Sequence, residues 1–192
     1  MSGRERINTA VSNLPNDLTY PDFQFIKEVA RNNVRCFVRW CGENLKFEDP
    51  ILDVACGYRD NRPEIDPKYQ RKFLSTDLNF ALKPDFVADA LRLPIADESI
   101  GCALCTEMLE HIPSPALLMD EIARILKPRG LLVVTVPFWL PIHEKEHWQQ
   151  DFWRFTPRGL YWILKQDFCD IRIKRADHGL FPVSILAHAR RK

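Results

Sequence analysis

Ile51-Leu52-Asp53-Val54-Ala55-Cys56-Gly57-Tyr58 is a short apolar run that carries one acid and ends at a glycine. An apolar run bounded by a turn residue reads as a strand buried on both faces, as at the centre of a parallel sheet. The glycine lets the backbone turn sharply and approach a ligand closely. In an open α/β sheet, ligands bind in the crevice beyond the strand ends. Asp53 is the oddity of the stretch, because an apolar residue is the ordinary occupant of such a position.

The chain around this stretch punctuates itself into alternating elements. Apolar residues at Ile26, Val29, Ala30, Val34, Phe37, Val38, Cys41 and Leu45 recur in steps of three and four, which predicts an amphipathic helix from Phe23 that ends near Gly42. Downstream of Gly57, Pro63 and Pro67 leave room only for a short helix between Glu64 and Arg71. Strands are expected at Phe73–Asp77, Asp85–Ala88, Ile100–Thr106 and Leu131–Val136. Ser114 and Pro115 can start a helix that Lys127-Pro128-Arg129-Gly130 stops, and Thr156-Pro157 starts another through Leu164. Late strands near Cys169–Arg175 and Val183–Ala189 meet through Asp177-His178-Gly179, a terminal hairpin that would add an antiparallel edge. Strands alternating with helices argue α/β architecture: a Rossmann-like, doubly wound, mostly parallel seven-stranded sheet with an antiparallel C-terminal strand.

With 192 residues, one domain is expected, residues 20–45 forming an N-terminal helix and 48–192 a catalytic core, while residues 1–19 read as a mobile N-terminal segment or lid. A net charge of +1 gives no global pull toward nucleic acid or an acidic membrane, so neither is expected as a partner. No apolar run is long enough to span a bilayer and residues 1–16 lack the apolar core of a signal peptide, so a cytoplasmic location is expected. The six cysteines lie mostly inside apolar runs and read as reduced structural thiols. Cys102 and Cys105 form a CxxC, but residues three apart on a strand point to opposite faces and suit neither one metal nor a redox bridge.

Several blocks, taken in order, resemble class I S-adenosylmethionine-dependent methyltransferases. They are the turn Leu52–Gly57, Asp77 ending the next strand, Asp89–Ser99, Glu107–Ile112 and Ala123–Gly130. More narrowly, Pro137-Phe138 with His143-Glu144, Asp151, Arg154 and Thr156-Pro157 looks like a bacterial subgroup of small members, some similar to enzymes of surface-polysaccharide or secondary metabolism. An acid about twenty residues past a glycine turn can accept both hydroxyls of a ribose, a geometry also used for dinucleotides. The resemblance implies S-adenosyl-L-methionine as cofactor, with Asp77 on the ribose and Leu78 beside it. It also implies Asp53, Ala55, Cys56, Gly57, Tyr58 and Arg59 around the methionine portion, Asp89 and Ala90 along the adenine, and Thr106 under the sulfonium. Ala55 and Arg59 stand where the family often has glycine, and with Gly57 as the only glycine a phosphate-cradling loop is disfavoured.

Methyl transfer from a sulfonium needs an aligned, desolvated acceptor, and a hydroxyl or ammonium acceptor also needs a base. The candidates are His143, Asp151 and His111, with His147, Trp148, Trp153 and Arg154 as substrate contacts. Arg154 has two readings, an anchor for an anionic substrate group or a partner for Asp151. The expected function is methyl transfer to a small-molecule acceptor (a sugar, natural product or metabolite, at oxygen or nitrogen). The alternatives are a non-catalytic cofactor-binding subunit and an RNA or protein methyltransferase. His143-Glu144-Lys145-Glu146-His147 spells HExxH, but that chemistry needs both histidines on one helix face and a further ligand downstream. Pro137 and Pro141 break the chain before it, so a zinc hydrolase through His143, Glu144 and His147 is the remote alternative and no resident metal is expected.

Overall fold

The computed structural model describes residues 23–57, 61–68, 70–143, 150–178 and 181–192. Its elements run α1 (Phe23–Asn44), β1 (Ile51–Val54), α2 (Arg62–Ile65), β2 (Phe73–Asp77), β3 (Phe86–Val87), β4 (Ile100–Thr106), α3 (Pro115–Ile125), β5 (Leu126–Pro137), α4 (Pro157–Leu164), β6 (Phe168–His178) and β7 (Phe181–Arg191). Short 3-10 turns at Phe80–Leu82 and Leu109–His111 follow β2 and β4. They form one seven-stranded sheet in the order β3-β2-β1-β4-β5-β7-β6. Strands β1 to β5 pair in parallel, and β7 pairs antiparallel with both β5 and β6. The architecture is the expected mostly parallel α/β sheet.

The antiparallel strand is not at the edge, as a plain terminal hairpin would have it. β7 is inserted between β5 and β6, which leaves β6 as the edge strand. The physical reason is burial: Val183, Ile185, Ala187 and Ala189 are fully buried, whereas β6 is buried only at Phe168 and is intermediate or exposed along the rest of its length. An apolar strand belongs inside a sheet, and a strand with charged residues along it is safer at the edge.

Every residue of β4 is buried, and the two faces of the sheet have separate cores. On one face Leu52, Val54, Ala103, Cys105, Leu132 and Val134 pack beneath Leu118, Ile122 and Ile125 of α3 and Leu160 and Leu164 of α4. On the other, Ile51, Cys102, Leu104, Leu131 and Val133 pack beneath Val34, Val38 and Cys41 of α1. Cys102 and Cys105 therefore do point to opposite faces, and both are free thiols. Burial of each large aliphatic side chain in these layers contributes about 1.5–3 kcal/mol.

Several local expectations are adjusted. α2 lies earlier than the expected 64–71 window, because Pro63 fits the first turn of a helix, where a missing N–H is harmless. α1 runs through Gly42 to Asn44. Gly42 serves close packing and not helix termination: a Cβ there would lie 2.4 Å from the carbonyl oxygen of Ile65. Ser114 stands at the N-cap of α3 without a side-chain cap bond, whereas Thr156 caps α4 by accepting from the Gly159 N–H at 3.1 Å. β3 spans only Phe86–Val87, and both late strands are longer than expected. β5 starts at Leu126, opposite Ile100, and pairing resumes with Leu131 opposite Cys102, so the stop signal at 127–130 forms a bulge.

Two charged clamps hold the layers. Glu64 of α2 accepts from Arg35 at 2.8 Å and from Arg39 at 2.5 Å, tying α2 to α1. Arg124 of α3 donates to Glu121, to Asp97 and to the carbonyls of Leu93 and Ile95. It thereby pins the segment that follows Asp89-Ala90 to the helix. Burial alone would push the Glu64 carboxyl up, but the two arginine hydrogen bonds outweigh it and hold the carboxyl below its usual range. A carboxylate with a depressed folded pKa adds stability above the unfolded value and loses it as pH falls through the folded one. Glu64→Gln is therefore expected to cost about 1–3 kcal/mol near neutral pH, with the difference from the native chain closing below the ordinary carboxylate range. Gly42→Ala is expected to cost a similar ~1–3 kcal/mol through overpacking, without that pH dependence. Urea unfolding at several pH values measures both.

Candidate functional site

The strand order reverses between β1 and β4, since the chain builds outward from β1 to β2 and β3 and then crosses to β4 and β5. Ligands bind in such sheets at this switch point, beyond the C-terminal strand ends. The sequence-selected residues fall there in two groups.

The first group surrounds the end of β1. Ala55 and Gly57 both take left-handed backbone conformations, with φ of 53° and 59°. At Gly57 that conformation is free of a side-chain penalty, and at Ala55 it is strained. The turn is closed by Asp77, whose carboxylate accepts the Gly57 N–H at 2.9 Å and the Asn79 N–H at 2.9 Å. The Cys56 N–H adds a 3.0 Å bond to the Thr76 carbonyl. A carboxylate has about four acceptor positions, so Asp77 keeps capacity for two hydroxyl donors. Burial, with the charges of Asp53 and Asp77 nearby, pushes the Cys56 thiol up to about 12, so it stays protonated.

Deeper in the crevice, Asp53 is 1% exposed and Asn61 2% exposed. The Asn61 side-chain amide donates to Asp53 at 2.9 Å and lies 3.1 Å from the Thr106 hydroxyl. This buried chain spans β1 to β4 across the switch point. Asn61 is a candidate site residue that sequence reasoning missed, because a lone asparagine in a polar stretch carries no pattern of its own. On the far side, Leu78 is 65% exposed, Asp89 is exposed with its carboxylate accepting the Leu91 N–H, and Ala90 is buried. Tyr58 and Arg59 lie outside the described residues.

The second group begins just beyond Thr106. The Glu107 N–H bonds the Thr135 carbonyl at 2.9 Å, which stitches the loop after β4 to β5. That loop presents Glu110 and His111 to the segment after β5. The rings of His111 and His143 meet edge to face at 5.1 Å. Nδ1 of His111 is 2.6 Å from the Gln150 carbonyl, and Nδ1 of His143 is 3.2 Å from both the Pro141 carbonyl and the Asp151 carboxylate. Oxygen acceptors at Nδ1 place the proton there and leave the lone pair on Nε2. Burial lowers the His111 pKa and favours the neutral ring.

Asp151 stands behind His143 with a fully inaccessible side chain. Arg154 grips it with both terminal nitrogens and also donates to the Leu140 and Pro141 carbonyls. Of the two readings of Arg154, the structure shows the pairing with Asp151. Burial pushes the Asp151 carboxyl up, but the Arg154 and His143 hydrogen bonds prevail and hold it below the usual range. Trp153 is 44% exposed, and its Nε1 donates to the Ile112 carbonyl at 3.0 Å. His147 and Trp148, like Glu144, lie outside the described residues.

Glu110 is the second residue that sequence reasoning passed over, although it sat inside a recognised block. It is 0% exposed, and neither carboxylate oxygen has a hydrogen-bond partner among the described residues. Burial, with the Glu107 charge added, pushes its carboxyl well above the usual range.

Residues 52–134 match the family model of a methyltransferase domain. An uncharacterised methyltransferase of Mycobacterium tuberculosis (strain H37Rv) is 40% identical over 96 residues, which are 49% of this chain and 36% of the relative. The chain thus matches about a third of the length of that curated relative. Among solved structures, a protein of Pyrococcus horikoshii OT3 superposes with a TM-score of 0.65 at 14% identity, over 84% of this chain and 91% of that one. Phosphoethanolamine N-methyltransferase 2 of Haemonchus contortus, in complex with S-adenosyl-L-methionine, superposes with a TM-score of 0.63 at 14% identity, over 83% and 52%. At such identities the likeness is one of fold. Among the described residues, no helix is long and apolar enough to cross a membrane.

Within the methyltransferase fold, the Asp151–Arg154 pair fixes how the segment after β5 folds back on the His143 side of the crevice. Breaking a buried pair leaves one charge uncompensated. Asp151→Asn is expected to cost about 3 kcal/mol at neutral pH, and the loss should shrink at acid pH as the native carboxyl protonates. Chemical denaturation across that range reads the effect.

Proposed function

We propose that the chain transfers a methyl group from S-adenosyl-L-methionine to a small-molecule acceptor, at oxygen or nitrogen, on a sugar, natural product or metabolite. The observation that carries this reading is Asp77, which closes the Gly57 turn at the strand-order reversal and retains acceptor capacity for a ribose diol. The residues fit such a nucleoside. Asp77 would take the ribose hydroxyls, with exposed Leu78 beside them and Asp89 and Ala90 along the base. The Ala55–Gly57 turn would lie against the amino-acid portion, and the Asp53–Asn61–Thr106 chain would supply polar atoms below it. Tyr58 and Arg59 complete the proposed set. When bound, the cofactor supplies an electrophilic methyl group on a positively charged sulfur.

The protein's share of the chemistry is alignment, desolvation and proton handling. His143 is the proposed base: the Pro141 carbonyl holds its proton on Nδ1, so Nε2 can accept one from the acceptor. Asp151, itself gripped by Arg154, accepts the His143 backbone N–H at 3.0 Å and so positions that residue. His111, neutral and edge-on to His143, is placed to share the proton or position the acceptor. Exposed Trp153, with His147 and Trp148 of the adjoining segment, would wall an acceptor with a ring or apolar body. Nothing in the net charge of +1 supports a nucleic-acid substrate.

Asp77→Ala is expected to weaken cofactor binding by about 1–3 kcal/mol, roughly 5- to 150-fold, because ribose hydroxyls lose their acceptor. His143→Ala should leave cofactor affinity within about twofold and slow transfer. Isothermal titration with the cofactor and its demethylated product tests the first claim. Folded protein that binds neither at high micromolar concentration would refute the reading.

A further inference from the structure

Glu110 poses a problem that methyl transfer does not answer. A buried carboxyl without hydrogen-bond partners costs stability, and two other buried acids of this chain, Glu64 and Asp151, are each held by arginine. Glu110 instead faces imidazoles. Its Oε1 lies 3.6 Å from Nε2 of His111. One potential ligand atom from each of Glu110, His111 and His143 lies within 4.8 Å of the other two.

We propose that Glu110, His111 and His143 form a binding site for a divalent transition-metal ion of the zinc and cobalt type. Two imidazoles and one carboxylate are the donor set such ions take, in preference to the all-oxygen sets of magnesium and calcium. Donors around a tetrahedral zinc stand about 3.3 Å apart, given bonds of ~2.0–2.1 Å, so a small contraction of the cluster suffices.

The surroundings of the two rings provide independent support. A metal-bound histidine typically donates its other ring N–H to a carbonyl or carboxylate, which fixes the tautomer and aims the lone pair. Both rings carry that arrangement: His111 Nδ1 on the Gln150 carbonyl, and His143 Nδ1 on the Pro141 carbonyl, while Asp151 accepts the His143 backbone N–H. An ion would also give the Glu110 carboxylate the positive partner that no described residue supplies by hydrogen bond. The site is distinct from an HExxH centre, because two of its three ligands come from the loop after β4 and only His143 belongs to that motif. It also stands independently of the cofactor reading. A bound ion would engage His143, so the loaded form would act on an acceptor by coordination and not through His143 as a base.

The test uses the full chain, stripped with a chelator and titrated with Co²⁺ and then Zn²⁺. Visible absorption reports coordination, and a thermal shift reports linkage. One ion per chain is expected, with intense ligand-field bands of a nitrogen and oxygen site and a raised melting temperature. Glu110→Gln and His111→Gln should each weaken binding at least about tenfold, and Asp151→Asn about 10- to 100-fold through His143. Circular dichroism checks folding, and the two ligand variants serve as alternatives if one fails to fold. Absence of binding at 100-fold excess metal over protein would overturn the site. So would binding that survives both Glu110→Gln and His111→Gln but is lost in His147→Ala, which would assign the ion to the His143–His147 pair. Cofactor titration of the same stripped protein, read separately, keeps failure of this site distinct from failure of the methyltransferase reading.

Discussion

The reversal of strand order between β1 and β4 is the constraint from which the rest of the molecule follows. Chain that leaves β1 turns one way to reach β2, and chain that returns to β4 goes on the other way to β5. The ligand-binding crevice of such a sheet lies at the ends of β1 and β4, two fully buried strands. Backbone and side-chain polar groups exposed there need partners. The protein supplies them with a buried chain, Asp53 to Asn61 to Thr106, and with Asp77 folded back onto the Gly57 N–H. Each is a structural brace built of groups that a polar ligand can also use.

The buried acids sort themselves by how they are compensated. Glu64 and Asp151 are surrounded by arginine donors, and both carboxyls are held below their usual range. These are architectural: the first ties α2 to α1, and the second ties the segment after β5 to itself. Glu110 has no such shell among the described residues, and its carboxyl is pushed up. A fold that pays conformational entropy throughout keeps an uncompensated buried acid only where something other than stability is served. In the proposed reading the two clusters at the crevice divide the labour, one serving a nucleoside and the other proton or metal chemistry beside it.

Arg124 gives a structural meaning to two of the blocks that carried the family resemblance. Its guanidinium joins Glu121 on its own helix to the carbonyls of Leu93 and Ile95 and to Asp97. The segment after Asp89-Ala90 is thus fixed from below by α3. Residues away from the proposed ligand thereby hold the wall that a ligand would touch.

The sequence by itself determined the elements and their order. Period-3.6 spacing gave α1, and mostly apolar runs gave β1, β4 and β5, because local burial patterns follow from which faces a helix or strand must cover. It also determined that Gly57 and Asp77 stand at strand ends, since a turn glycine and a terminal acid are local signals. Only the tertiary structure decided that β7 enters the sheet between β5 and β6, a choice made by competition between two strands for the buried place. It alone brought Asn61 to Asp53 and Thr106, and His143 to Glu110 and His111, from segments that share no periodicity. Hydrogen bonds and charge pairs of that kind depend on distances of a few ångströms across the fold, and no spacing along the chain encodes them.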